Sequence, residues 1–148
     1  MDNVAKENMK KITKQFEKYR SGVKRVELLE SQLNRIDNHI KIKTSAIKNY
    51  SGNGGSKDTL DCYNDLVMRK IRLENKLLDS KVVVDLMDDA LNSLEKEFPL
   101  EYQAIRMKHI ECRPIYQIQE RLNYGRTKVW ECIRKGEAEL LKLLEIIS

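Results

Sequence analysis

Arg126, Thr127, Lys128, Trp130, Glu131 and Arg134 crowd into one short stretch, with Arg113 and Arg121 just upstream. A guanidinium fork can read a guanine edge, a lysine ammonium meets phosphate, and a carboxylate can accept from a cytosine amine or orient an arginine. These residue types together suit double-stranded DNA. Trp130, the sole tryptophan, reads equally as a ring for bases or a cap on an apolar core. Thr127 and Glu131 are open in the same way. His109 and Cys112 form an H-x-x-C pair, but two ligands do not make a zinc site. The sequence contains no G-x-S-x-G, no nucleophile–base pair and no metal triad. Asp88 and Asp89 adjoin, yet helical neighbours point about 100° apart and do not converge. The expectation is a chain that is not an enzyme and needs no metal or cofactor.

The elements that would position the basic cluster follow from local signals. Pro99 suits a first helical turn and predicts a helix over about 99–110, ended by Glu111-Cys112-Arg113-Pro114. Pro114 suits the first turn of a short helix through Ile115, Ile118 and Leu122. Asn123-Tyr124-Gly125 reads as a tight turn, with Asn123 and Gly125 both suited to positive φ. A last helix runs from Arg126 to Leu144 or beyond. With Ile118, Leu122, Val129 and Cys132 or Ile133 packing two helices at a steep angle, this is a helix-turn-helix whose last helix projects its first turn. The partial positive charge of that helix start favours phosphate.

The run Ile118-Gln-Glu-Arg-Leu122-Asn-Tyr-Gly-Arg126-Thr-Lys-Val129-Trp resembles the helix-turn-helix of sigma-factor region four, whose pattern is Ile-Ala-x-x-Leu-Gly-x-Ser-Arg-x-x-Val. The wider order is similar to phage transcriptional regulators of the RinA and ArpU kind. There a Tyr-Ser-Gly-type loop (here Tyr50-Ser51-Gly52) and a long helix precede a segment like Glu101-Tyr-x-x-Ile105-Arg-x-Lys-x-Ile110. The resemblance covers about residues 50–144. Gln119, Asn123 and Gly125 depart from it, replacing a small residue, the turn glycine and a capping Ser or Thr.

Upstream, two long amphipathic segments predict a scaffold. Ile12, Phe16, Tyr19, Val23, Val26, Leu33, Ile40 and Ile47 follow one alternating four- and three-residue spacing. Glu30, Asp37 and Thr44 interrupt it, Leu29 and Ile36 lie beside it, and Ser21-Gly22 suits a kink. Leu66, Leu73, Leu77, Val84, Met87, Leu91 and Leu94 form a second seam with Lys70 and Ser80 as polar exceptions, capped by Asp58 or Thr59. A helix over 60–97 would be about 55 Å long and needs a partner helix. Residues 51–57 read as a flexible loop that folds one segment back on the other. The predicted fold is all-α: residues 1–97 form a helical hairpin or coiled coil, and 98–148 a helix-turn-helix domain.

Charge placement agrees with that division. The 148-residue chain carries 28 basic and 23 acidic residues, net +5. Residues 1–58 hold net +6, where solvation of a helix face is the default reading, while 106–135 hold a local +5 on the predicted DNA-binding region. The acids Glu137, Glu139 and Glu145 fall in the tail. Three cysteines without a C-x-x-C pair fit a reducing cytoplasm. Cys112 and Cys132 read as buried small hydrophobes, and His39 as exposed. No apolar run approaches a membrane span. The expected function is a sequence-specific DNA-binding regulator, by resemblance an activator of phage late genes. The alternatives are a sigma-like RNA polymerase subunit and a small-terminase-type packaging or assembly protein. The partners foreseen are double-stranded DNA, RNA polymerase, and a second copy through the N-terminal helices.

Overall fold

The computed structural model describes residues 2–49 and 57–147, and these contain helices and no strand. Helix α1 spans Asn3–Asn49 and α2 spans Lys57–Glu97. Helix α3, Pro99–Ile105, continues into a π-helical turn at Arg106–Ile110. Helix α4 covers Ile115–Leu122 and α5 covers Arg126–Ile147. The fold is therefore all-α, as the sequence predicts. No described helix is long and apolar enough to cross a membrane. The loop expected at 51–57 lies outside the described residues except for Lys57, which opens α2. Asp58 and Thr59 thus sit inside that helix and are not its caps. Helix α1 runs unbroken through Ser21-Gly22.

The chain divides into two compact units, one of Met1–Ser21 with Val83–Ser148 and one of Gly22–Val82. The boundary expected at 97/98 therefore differs from this division: the start of α1 and the end of α2 belong with the C-terminal helices.

In the unit Gly22–Val82, ion pairs fix how the two helices run. Lys70 Nζ lies 2.8 Å from Asp37 Oδ1, and Lys81 Nζ lies 3.5 Å from Glu30 Oε1. The partners occur in reverse order, so the segments are antiparallel. At Asp37 and Lys70 a polar exception of one seam thus answers one of the other. The Asp37 hydrogen bond raises the Lys70 ammonium above its ordinary pKa. Leu29 and Ile36 are buried, so α1's apolar stripe takes in residues that the strict spacing set aside.

The other unit has one core. Ile12 and Phe16 of α1 join Met87, Ala90, Leu91 and Leu94 of α2 and Ala104 and Ile105 of α3. Met107 of the π-helical turn, Ile118 of α4 and Val129, Cys132, Ile133 and Leu140 of α5 complete it. Tyr19 fastens α1 to α2 by donating its hydroxyl to Asp88 Oδ1 at 2.6 Å. Burial, then the Asp88 carboxylate, push the Tyr19 phenol up to about 12. Along α5 the buried positions recur in steps of one, three and four, which is a single helical face. Gly136 lies on it, and a Cβ there would stand 2.6 Å from Ile105 Cγ1 and 3.1 Å from the Glu101 carbonyl oxygen. The absent side chain is what lets α3 and α5 approach.

Gly136→Ala should therefore destabilise the fold by about 1–3 kcal/mol through overpacking, against the gain that alanine brings to an ordinary helix position. Urea unfolding measures this, and Ile105→Ala, which removes the crowding Cγ1, should cost less in the Gly136→Ala chain than in the native one. The Tyr19 pair has a pH signature as well. Because the folded phenol titrates above its unfolded value of about 10, its contribution is complete below pH 10 and disappears as pH rises through 12. A plot of stability against pH should show that fall in the native chain and lose it in Tyr19→Phe.

Candidate nucleic-acid interface

The segment around the basic cluster is held by capped turns. The π-helical turn closes with the Glu111 N–H donating to the Arg106 carbonyl at 2.9 Å. Cys112 then takes φ 54°, and the Arg113 N–H reaches back to the Met107 carbonyl at 2.9 Å. Pro114, extended at φ −67° and ψ 156°, is the N-cap of α4 and stands just outside its first turn. Asn123 ends α4 at φ 57° and ψ 43°. Its own N–H and that of Tyr124 both donate to the Gln119 carbonyl, a Schellman-type stop. Asparagine tolerates the left-handed region because its short polar side chain bonds locally. Gly125 does not occupy that region, contrary to the expected pair of positive φ values. It serves as the N-cap of α5, and its carbonyl accepts from the Val129 N–H at 3.1 Å.

Helix α5 is thereby rotated into a fixed setting. Val129, Cys132, Ile133 and Leu140 face the core. Thr127, Glu131 and Arg134 lie on the opposite face and are exposed, as are Arg126 and Lys128 at the start of the helix. Arg126, Lys128 and Arg134 form no ion pair among the described residues. Arg121 is also exposed and rims a cleft of about 460 Å³ with Arg106, Glu95 and Glu111. Two residues of the set are engaged elsewhere. Arg113 is half-buried, with Nη1 3.4 Å from Gln117 Oε1 and Nη2 3.2 Å from Glu111 Oε1. Trp130 is half-buried against the core, and Lys108 Nζ sits 5.0 Å from its ring centroid. That is within cation–π range.

Sequence reasoning missed the polar centre behind this face. Glu137, grouped with the tail acids, is 1% exposed. Its Oε1 lies 3.0 Å from His109 Nε2 and 3.1 Å from Lys108 Nζ. The His109 ring stacks on Phe16 at 4.8 Å between centroids and 5° between planes. Arg20 of α1 donates to the His109 carbonyl. The signal was available, because Glu137 is four residues after Ile133 and three before Leu140, on the apolar face of α5. Cys112 is exposed and Cys132 buried, so the expected burial of Cys112 is corrected; a residue at positive φ in a helix stop points away from the core. Burial, then the nearby Glu101 carboxylate, raise the Cys132 thiol pKa. His109 and Cys112 do not converge, since the histidine faces Glu137 while Cys112 Sγ lies 3.8 Å from the His109 carbonyl. No group of three metal-ligating side chains occurs among the described residues.

The chain matches no protein-family model, no curated protein and no solved structure.

Removing one partner of a buried charged pair leaves the other uncompensated. Glu137→Ala should therefore cost about 3 kcal/mol, whereas Glu139→Ala, which loses only a surface contact with Lys142, should cost less than about 1 kcal/mol. Paired chemical denaturation curves check this. Equal effects would show that burial of Glu137 does not matter energetically.

Proposed function

We propose that the protein is a sequence-specific DNA-binding transcriptional regulator, acting by binding and not by catalysis. In this reading α4, the Asn123–Gly125 turn and α5 are a helix-turn-helix, and α5 is its recognition helix. The observation that carries it is the unpaired, exposed set Arg126, Thr127, Lys128, Glu131 and Arg134 on a helix whose opposite face is locked into a core. Locked backbone with free polar side chains is what groove reading requires, because each side chain must meet a base edge at fixed register.

The residues divide by task. Arg126 and Lys128 stand at the α5 N-terminus, where helix partial charge and side-chain charge both favour phosphate. Thr127, Glu131 and Arg134 lie along one exposed stripe and address base edges. Arg121 on α4 reaches the backbone beside them. Trp130 and Arg113 act inside the protein as supports of the α5 and α4 starts. The resemblance to phage regulators supports activation of phage late genes as the process it serves.

Binding measured on duplexes selected from a random pool tests the assignment. Arg134→Ala should weaken the selected site by about 1–3 kcal/mol and relax preference at one position. Lys128→Ala should weaken all sequences alike and reduce the salt slope by about one. If Arg126→Ala and Arg134→Ala left affinity for every duplex unchanged, α5 would not be the reading element.

A further inference from the structure

Helix α2 carries a second seam that the hairpin does not use. Met68, Ile71, Asn75, Leu78 and Val82 recur in alternating three- and four-residue steps, the spacing of a coiled-coil interface. This face lies opposite Leu66, Lys70, Leu73 and Leu77, whose seam looks toward α1. Met68 is 52% exposed, Ile71 45%, Leu78 63% and Val82 53%. Asn75 is exposed between them. Lone exposed aliphatics are ordinary, but a heptad-spaced row of them is not. Asn64 and Asp85 occupy the next seam positions and bound the row.

We infer that this face is covered by a second copy of the chain, paired antiparallel through α2. The flanking charges choose the occupant and its direction. Arg72 and Asp79 border the seam on one side, Glu74 and Lys81 on the other. In an antiparallel pair with its two-fold axis between residues 76 and 77, Ile71 packs on the partner's Val82 and Asn75 on the partner's Leu78. Arg72 then meets the partner's Asp79, and Glu74 meets the partner's Lys81. By symmetry that makes four attractive contacts, since an isologous interface uses each pairing twice. In a parallel pair Glu74 would face the partner's Asp79 twice, and both contacts are repulsive; only an Asn75 pair would speak for it. Arg72 and Asp79 form no ion pair with any described residue. Glu74 and Lys81 are paired within the chain, at 3.8 Å to Lys70 and 3.5 Å to Glu30, and share those contacts with the partner's charges in the dimer. The flanking charges are therefore self-complementary in one direction only, with Met68 at the rim opposite the partner's Asp85. This pairing stands or falls independently of DNA binding.

Sedimentation over a concentration series tests it on the full chain without DNA. The native protein should reach twice its 17.4 kDa mass as concentration rises into the high micromolar range. Leu78→Glu should weaken the dimer by more than about 100-fold, with helicity unchanged because the side chain is exposed in the single chain. Asp79→Arg should weaken it about tenfold, and Arg72→Asp combined with Asp79→Arg should restore it. A native chain that stays monomeric, or a dimer that survives Leu78→Glu, overturns the interface. A dimer indifferent to Asp79→Arg, or tightened by it, overturns the antiparallel pairing.

Discussion

One carboxylate constrains the unit that carries the basic cluster. A charge as buried as Glu137 is tolerated only if it is paired and hydrogen-bonded, because desolvation of an isolated carboxylate costs far more than one good contact returns. Lys108 and His109 supply the pairing, and they are sequence neighbours. On an ordinary α-helix such neighbours point about 100° apart. Both lie on the π-helical turn at Arg106–Ile110, and both reach the same Glu137 oxygen. His109 is in turn stacked on Phe16 and held through its carbonyl by Arg20. Lys108 also covers Trp130. The start of α1, the π turn and α5 are thus tied at a single point.

The orientation of α5 follows from this anchor together with its apolar stripe. Nonpolar burial sets which face turns inward, but a stripe of aliphatics alone tolerates small rotations and slides. A hydrogen-bonded carboxylate does not. Gly136, one residue before Glu137, removes the last freedom by bringing the helix against the Glu101 carbonyl and Ile105. With the inward face fixed, Thr127, Glu131 and Arg134 are fixed outward. On the proposed DNA-binding function, specificity by base contact would depend on that rigidity, because a bidentate contact fails when the helix shifts by an ångström or so.

Helical periodicity made the elements legible in the sequence. Pro99, Pro114 and Asn123 marked the breaks, since each acts through its own backbone restriction. The packing residues Ile118, Val129, Cys132 and Ile133 and the exposed set around Arg134 were legible for the same reason. The unit boundary was not, because nothing local in Ile12 or Phe16 says whether α1 packs on α2 or on a helix about a hundred residues away. Glu137 was misread because its charge outweighed its place on the apolar face. The place of Gly125 as a helix cap was legible, but its φ was not, because glycine's freedom does not reveal which φ it takes. Asp37 and Lys70 looked like flaws in two separate seams, and only the antiparallel pairing shows that they meet.

The central claim is that the outward face of α5 meets DNA while its inward face stays in the core. Amide chemical-shift mapping during titration with a selected duplex tests it most directly. Shifts concentrated in Arg121–Lys135 are expected, with the core amides around Leu140 and Ile105 unmoved. Shifts confined to the lysine-rich face of α1, with α5 silent, would contradict it.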